Sequence, residues 1–358
     1  MPFPPKAEKL ISVVVPLMNE AACLPRLHAA LRGACDALPY RFEFLYVDDG
    51  STDSTVEALA SLRLGDLRVR FLVLSRNFGH QAALGAGLAH ASGDAVVMMD
   101  GDLQHPPELI PELVEQWEAG FEVVNTLRVE TAEIPLAKRL WSWAFYRVFN
   151  WATSVRIQPG GADFRLMSRV AVNALNALPE RRRFLRGLVP WIGFRQTFVA
   201  FKAPPRFAGR SKYNFIKNMR FALEGLTSFS CYPLRAMTLL GWMIVASSLI
   251  YAAYALGAHL LGGWTVPGWT SLILCVLFFG GAQMTMLGVL GEYLGRTFEQ
   301  VNGRPSFILR EAVGFVESGA GEFSPLPAFS PPHLVPGAPH RLGSAAPRIG
   351  RDVDADVR

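Results

Sequence analysis

Three polar clusters stand directly behind three apolar runs. Pro16-Leu17-Met18-Asn19-Glu20 closes the run at Ile11–Pro16, Asp48-Asp49-Gly50-Ser51 follows Phe42–Val47, and Asp100-Gly101-Asp102-Leu103-Gln104 follows Ala95–Met99. Carboxylates repel one another, so a cluster of them persists where a cation or hydrogen-bond donors sit among them. Asp100 and Asp102, two apart, share a face of an extended segment, and a turn through Gly101 can bring both to one ion. Oxygen ligands without His or Cys favour Mg²⁺ or Mn²⁺ over zinc. A strand-to-helix turn with Ser51 or Asp53 capping a helix over 55–62 accounts for Asp53 but not for Asp48 and Asp49, which can accept hydrogen bonds from a nucleobase or ribose.

Other residues carry more than one reading. Ser75-Arg76-Asn77-Phe78-Gly79-His80 precedes a helix, a place that suits an anion, and His80 is assigned no role. Asp163 and Arg165, set in an apolar run, are either a structural ion pair or site residues. Arg210 and Lys212, beside Gly209 and Ser211, can clamp a diphosphate or a lipid phosphate, or form a basic patch on anionic lipid.

The elements that must position these residues alternate. Strands are expected at Ile11–Pro16, Phe42–Val47, Arg70–Leu74, Ala95–Met99 and Glu122–Thr126, with helices at Ala22–Ala37, Ser54–Leu62, Gln81–Ala91 and Pro107–Ala119. That order predicts an α/β domain with a mostly parallel sheet. Ligands of such sheets bind beyond the carboxyl ends of the strands, so Glu20, Asp48, Asp49, Asp100 and Asp102 converge on one edge.

Composition places part of the chain in lipid. Of 358 residues, 51% are hydrophobic and 18% charged, and no Asp, Glu, Lys or Arg occurs from Ala236 to Gly291. That stretch is long enough for two crossings, about 236–261 and 269–290, separated by Gly262-Gly263-Trp264-Thr265-Val266-Pro267-Gly268. Arg235 before it and Arg296, Arg304 and Arg310 after it put both outer ends, and with them both termini, in the cytoplasm. Leu136–Trp151 and Tyr213–Leu226 mix aromatic and basic residues at a spacing suited to the membrane interface or to core packing. Cys23, Cys35, Cys231 and Cys275 make neither a redox nor a zinc spacing. The net charge of +5 fits an anionic partner without choosing among nucleic acid, headgroups and phosphorylated substrates. The expected organisation is an N-terminal extension (1–8), a catalytic α/β domain (9–212), a juxtamembrane amphipathic segment (213–235), the membrane hairpin (236–291), a cytosolic segment (292–315) and a disordered, proline-rich tail (316–358).

The strings VVVPLMNE, YVDDGSTDST, LSRNFGHQAALGAGL, MMDGDLQHPPELI, GGADFRLMSR and AGRSKY, followed by two apolar spans, resemble the polyprenyl-phosphate glycosyltransferases of glycosyltransferase family 2. That group contains dolichol-phosphate mannose synthase and the bactoprenol glucosyltransferases, and the resemblance runs from Lys9 to Glu311. It implies a GT-A domain that moves a sugar with inversion from a nucleotide sugar to a polyprenyl phosphate, such as undecaprenyl phosphate, at the inner face of the cytoplasmic membrane. It also implies roles. Pro16, Glu20, Asp48 and Asp49 would hold the nucleoside with Met18 nearby, while Asp100, Gly101 and Gln104 would line the donor. Asp100, Asp102 and Gln104 would surround the Mg²⁺ or Mn²⁺, Asp102 being the firmest ligand. Arg128, Arg210 and Lys212 would address phosphates, and Asp163 with Arg165 would face the acceptor, which makes Asp102, Asp163 and Arg165 the expected catalytic residues. Many relatives read DADLQDPPE, where this chain has Gly101 for the Ala and His105 for the second Asp, one oxygen ligand fewer.

A phosphate monoester, with its second pKa near 6, is largely dianionic at neutral pH and needs no strong general base, so Asp163 is expected to orient the acceptor or sugar. UDP-glucose is the first choice of donor, with UDP-N-acetylhexosamine, GDP-mannose and UDP-aminoarabinose derivatives as alternatives. A homo-oligomer and a separate flippase are expected partners. A processive polymerase is disfavoured because no QxxRW signature follows, and a non-catalytic scaffold because Asp100 and Asp102 are present. A nucleic-acid binder is disfavoured by the acidic edge.

Overall fold

The structure, a computed structural model, describes residues 9–129, 147, 153, 158, 160–180, 183–202, 230–260 and 268–315. The apolar runs become strands β1 (Leu10–Leu17), β2 (Arg41–Asp48), β3 (Val69–Leu74) and β4 (Ala95–Met98). Helices α1 (Leu24–Cys35), α2 (Thr55–Gly65) and α3 (His80–His90) connect them, and α4 (Ile110–Glu118) follows β4. Beyond these lie β5 (Val123–Val129), β6 (Gly161–Ser168), α5 (Arg169–Asn176), α6 (Leu185–Trp191), β7 (Gln196–Lys202), two long helices α7 (Tyr232–Leu260) and α8 (Trp269–Val301), and β8 (Leu309–Val313).

All eight strands form one sheet in the order β7-β5-β6-β4-β1-β2-β3-β8. The pairs β1–β2, β1–β4, β2–β3 and β5–β7 are parallel, whereas β6 runs antiparallel to β4 and β5, and β8 antiparallel to β3. Strand side chains alternate between faces, so the sheet carries two cores. Val13, Val15, Phe44, Tyr46 and Phe164 pack with α1, α2 and α4 on one face, while Val14, Val47, Met98 and Met167 pack with α3, α5 and α6 on the other. At Gly87 of α3 an added Cβ would stand 2.2 Å from Val14 Cγ1, so glycine is what lets this helix lie close on the sheet.

This order positions the site. Strands β2, β1 and β4 are contiguous and parallel, so the clusters behind them share one edge. Strand β6 runs the other way, with Arg165 opposite Met98, which carries the start of β6, and Asp163 with it, to that same edge.

The sheet is closed from beyond the long helices. After α8 the chain returns to add β8 to the outer edge of β3, and Phe307, Leu309 and Phe315 pack on the second core. The ring of His90 meets those of Phe307 and Phe315 edge-on at 6.2 and 6.0 Å. Covering an edge strand removes a template for aggregation. Replacing the β8 residues 309–315 by a Gly/Ser linker is therefore expected to cost at least ~3 kcal/mol, from lost burial of two large apolar side chains, and to promote aggregation. Thermal unfolding with light scattering checks this, and an unchanged melting temperature would contradict it.

Helix α7 has 29 residues and α8 has 33. Among the described residues, Tyr232–Tyr251 is the segment long and apolar enough to cross a membrane, with mean hydropathy 1.5. Helix α7 begins inside what the sequence suggested as a juxtamembrane segment, and α8 continues beyond the apolar stretch through Glu292, Arg296 and Glu299. Tyr293 Oη donates to the Ser230 carbonyl (2.7 Å) and Gln300 Nε2 to the Pro179 carbonyl (2.7 Å), tying the end of α8 to the start of α7 and to the sheet domain. The segments 136–146 and 213–229, the loop 261–267 and the tail 316–358 lie outside the described residues.

Candidate active site

The loops behind β1 and β2 are laced to each other. Asn19, in the left-handed region at φ 57°, donates its N–H to Ser51 Oγ (2.8 Å) and accepts from the Thr52 N–H (2.8 Å). The N-cap of α2 is Ser54, not Ser51 or Asp53, and Asp53, one residue earlier, accepts from the Thr55 N–H (3.1 Å), while Glu20 N–H donates to Thr55 Oγ1 (3.1 Å). The two adjacent aspartates then divide. Asp48 is fully buried, with Oδ2 accepting from the Ser51 N–H (3.1 Å) and Oδ1 left without a hydrogen-bond partner among the described residues. Asp49 spends both oxygens on the N–H groups of Phe78 (2.8 Å) and Gly79 (3.0 Å), so it anchors the loop behind β3. Burial pushes the Asp49 carboxyl up, against those hydrogen bonds. Pro16 is buried in β1, while Met18 is exposed with its sulfur 2.7 Å from Asn77 Nδ2.

Behind β4 the chain turns sharply. Leu103 sits at φ 60°, and Asp102 Oδ1 accepts from the Gln104 N–H (3.1 Å). Gly101 packs against β1, where an added Cβ would lie 2.6 Å from Leu17 Cδ2 and 3.2 Å from the Pro16 carbonyl. His105 replaces a carboxylate with a different function. Its Nδ1 accepts from the Asp100 N–H (2.9 Å), so the proton of the neutral ring belongs on Nε2, and the ring stacks on Phe164 of β6 at 5.3 Å. Burial pushes its pKa down, against the pull of Asp100 and Asp102.

The same direction holds for His28, buried beneath β2 with Nδ1 3.0 Å from Tyr46 Oη. A histidine whose folded pKa is depressed protonates first in the unfolded chain, so stability falls as pH drops below the ordinary 6.5. Denaturant unfolding at neutral pH and near pH 5.5 is expected to show that loss. Replacing His28 by Gln, which cannot titrate, is expected to shrink it.

Asp100 Oδ1 is buried and has no hydrogen-bond partner among the described residues, although His80 Nε2 stands 3.3 Å away. The same His80 nitrogen lies 3.9 Å from Asp163 Oδ2, so a residue given no role from sequence spans the two acidic groups. Among the described residues no three His, Cys, Asp or Glu side chains gather as a ready metal site. The donors at this turn are two carboxylates and the Gln104 amide.

Asp163 is held by two arginines. Arg186 donates through Nε to Oδ1 (3.1 Å) and through Nη2 to Oδ2 (3.0 Å), and Arg165 Nη2 reaches Oδ1 at 3.3 Å. Burial by itself raises the Asp163 pKa, but the guanidinium groups of Arg186 and Arg165 outweigh it and hold it at about 2. Burial in turn pushes Arg165 down, against Asp163. The ion-pair and site readings of this pair are therefore compatible. Arg186, from the short α6, was not singled out in the sequence, and nothing in its spacing to Asp163 marks it. Arg128 is exposed at the end of β5, where its N–H donates to the Gly160 carbonyl (2.9 Å). Arg210 and Lys212 lie outside the described residues.

A sheet whose parallel strands end in Asp48 and in Asp100-Gly101-Asp102, with an ionised Asp163 brought in on an antiparallel strand, is a GT-A-like arrangement. The family model "Glycosyl transferase family 2" matches residues 12–173, from β1 into α5. A bactoprenol glucosyl transferase of Shigella phage SfII is 40% identical over 302 residues, 84% of this chain and 98% of its own. The chain belongs to glycosyltransferase family 2. A second relative, the uncharacterized glycosyltransferase sll0501 of Synechocystis sp., is 42% identical over 304 residues, 85% of this chain and 96% of its own. Among solved structures, glucosyl-3-phosphoglycerate synthase from Mycobacterium tuberculosis, in complex with Mn²⁺, UDP and phosphoglyceric acid, matches with a TM-score of 0.45 at 23% identity, over 62% of this chain and 78% of that one.

Proposed function

We propose that this family 2 glycosyltransferase moves glucose from UDP-glucose, with inversion, to the phosphate of a polyprenyl phosphate at the cytoplasmic membrane face. The observation that carries this reading is the state of Asp163. Arg186 grips both oxygens of this buried carboxylate and Arg165 reaches one of them, which holds it ionised and makes it a poor base. Such a group suits an acceptor that arrives already anionic, as a phosphate monoester does. The relatives named bactoprenol glucosyl transferases support the same acceptor.

In the reaction the bond from the anomeric carbon to the diphosphate oxygen breaks as one forms to the acceptor phosphate oxygen on the opposite face. Asp48 Oδ1, buried and unpartnered, is suited to accept from a nucleobase or ribose, and the exposed Met18 offers an apolar surface beside it. The orphaned Asp100 Oδ1 and the all-oxygen donor set of Asp100, Asp102 and Gln104 fit Mg²⁺ or Mn²⁺. Such an ion would neutralise charge developing on the nucleoside diphosphate. Asp163 orients the acceptor or the sugar through its fixed position and stays ionised throughout.

The membrane reading is of the same standing. The chain leaves the sheet domain before α7 and re-enters the sheet as β8 after α8, so an even number of crossings between them is what the connectivity accommodates. With α7 as the candidate span, that arrangement favours a two-helix hairpin with the catalytic domain and both outer ends in the cytoplasm.

Purified full-length protein in bilayer-like detergent, given undecaprenyl phosphate, Mg²⁺ or Mn²⁺ and a panel of labelled nucleotide sugars, tests the reaction. A lipid-linked glucose is expected from UDP-glucose alone, falling at least about a hundredfold in Asp102→Ala. No lipid product from any donor, with donor binding intact, would defeat the proposed acceptor.

A further inference from the structure

Arg186 grips Asp163 from a helix with little to hold it together. Helix α6 has 7 residues with Pro190 among them, and its N-cap, Phe184, offers no side-chain acceptor. The first N–H groups of a helix have no partner within it, and a helix this short has few bonds to spare. The Leu185 N–H, first in α6, finds its acceptor on another element, Gln81 Oε1 of α3, at 3.1 Å and 104 positions away. Gln81 takes the place of the missing cap. The Phe184 carbonyl next to it accepts from the N–H groups of Gly187 (2.9 Å) and Leu188 (3.0 Å), so the turn that carries Arg186 is built on the capped residue.

The two sides of this turn are fixed separately. Toward its C-terminus α6 buries Leu188 and Val189 in the second core, and Gln196 Nε2 donates to the Val189 carbonyl (3.1 Å) while Asn125 Nδ2 holds Gln196 Oε1 (3.0 Å). Ahead of the helix, Arg183 donates to Asn176 Oδ1 (3.2 Å) and to the Asn176 carbonyl (3.1 Å), both at the end of α5. Between them, the Leu185–Gln81 hydrogen bond ties the backbone next to Arg186 to α3. The Arg186 side chain is 36% exposed, so packing alone does not clamp it, whereas the Asp163 side chain it meets is 5% exposed. A two-point bond from a planar guanidinium to a carboxylate tolerates little rotation of the donor, and a small swing of the first turn would reduce it to one contact.

Gln81 also adjoins His80, which stands between Asp100 and Asp163, and follows Gly79, whose N–H is held by Asp49. A continuous set of contacts therefore runs from Asp49 behind β2, through residues 78–81, to Leu185, Arg186 and Asp163. We infer that Gln81 is a positioning residue for sugar transfer, which caps α6 from α3 and thereby holds Arg186 in two-point contact with Asp163. The inference rests on the transfer reading above and adds to it a residue that the reading does not use.

Full-length Gln81→Met, Gln81→Glu, Arg186→Gln and the double variant Gln81→Met/Arg186→Gln test it in the lipid-transfer assay, with UDP binding, thermal unfolding and hydrogen exchange over residues 184–191 measured on the same preparations. Gln81→Met is expected to lower kcat about tenfold while leaving the donor KM and UDP affinity unchanged. Gln81→Glu, whose carboxylate oxygen can accept the same N–H, should stay within about threefold of the native rate. Adding Gln81→Met to Arg186→Gln should change kcat by less than about twofold, because two residues acting through one contact are not additive. Exchange at the Leu185 amide should quicken about tenfold in Gln81→Met and stay at the native rate in Gln81→Glu. A full further loss in the double variant, UDP affinity falling in step with kcat, or Gln81→Glu failing as Gln81→Met does would each overturn the inference. Unchanged exchange at Leu185 in Gln81→Met would overturn the cap itself. A native protein that binds UDP but makes no lipid product would defeat the transfer reading instead. In that event exchange and unfolding still decide the link, since additive losses of melting temperature in the double variant would overturn the hold of Gln81 on Arg186 and non-additive losses would support it.

Discussion

Asp163→Asn is expected to lower sugar transfer at least about a hundredfold and to cost about 2–4 kcal/mol of stability. The substitution keeps the shape but sets an amide N–H₂ against a guanidinium, leaving the buried Arg165 and the half-buried Arg186 with no carboxylate between them. The pH dependence separates the two losses. A carboxyl lowered from the ordinary 3.8 to about 2 adds stability that is complete above pH 4 and disappears as pH falls through 2. Its size, from that difference, is about 2 kcal/mol. The stability gap between native protein and variant should therefore be constant from neutrality to about pH 4 and narrow below it. The activity should behave otherwise. If Asp163 only orients, no increase of pH restores the variant, because no proton transfer has been removed. Recovery at high pH, seen in a transfer assay from pH 6 to 9, would mean that Asp163 takes a proton, and the argument from its low pKa to an anionic acceptor would collapse.

This residue also shows where sequence reading stops. Strands β1 to β5 were legible because buried strands between helices read as unbroken apolar runs, and Val13-Val14-Val15 or Ala95-Val96-Val97-Met98 permit little else. The edge carrying Glu20, Asp48, Asp49, Asp100 and Asp102 followed directly, since polar residues just past such runs can only sit at strand ends. Strand β6 was not read as a strand, because Asp163 and Arg165 interrupt its apolar pattern, and those charges are tolerated only through Arg186, 23 positions later on another element. That pairing is a tertiary fact with no local signal. Strand β8 is short, lies beyond both long helices and owes its existence to the open edge of β3. The pair Asp48-Asp49 looks alike in sequence, and only the path of the loop 75–79 distinguishes the carboxylate that ties down that loop from the one with an unused oxygen. His105 is the reverse case, where a departure from the DADLQDPPE pattern was visible but its consequence, a neutral ring bridging the Asp100 N–H and Phe164, was not.

The loop that Asp49 anchors leads to the second large expectation, Gly50→Ala. Gly50 sits at φ 71°, where a side chain already costs about 1–2 kcal/mol. Its Cβ would also stand 2.6 Å from both the Arg76 carbonyl carbon and the Asn77 nitrogen, backbone atoms that cannot rotate away. Relief requires the loop 75–79 to move off β2. That movement breaks the hydrogen bonds from Phe78 and Gly79 to Asp49 and shifts His80 away from Asp100 and Asp163. The expected cost is about 3 kcal/mol or more in stability, with nucleotide affinity falling at least about tenfold because Asp48 and the loop behind β2 are displaced together. Gly85→Ala on α3 supplies the contrast, since its Cβ meets nothing within 4 Å and the change is expected to be neutral or to stabilise by up to about 1 kcal/mol. Melting curves and UDP titration of the two variants decide the matter. Equal behaviour of Gly50→Ala and Gly85→Ala would mean that the loop behind β3 yields freely, and that Asp49 and His80 are not held in the register from which the site is built.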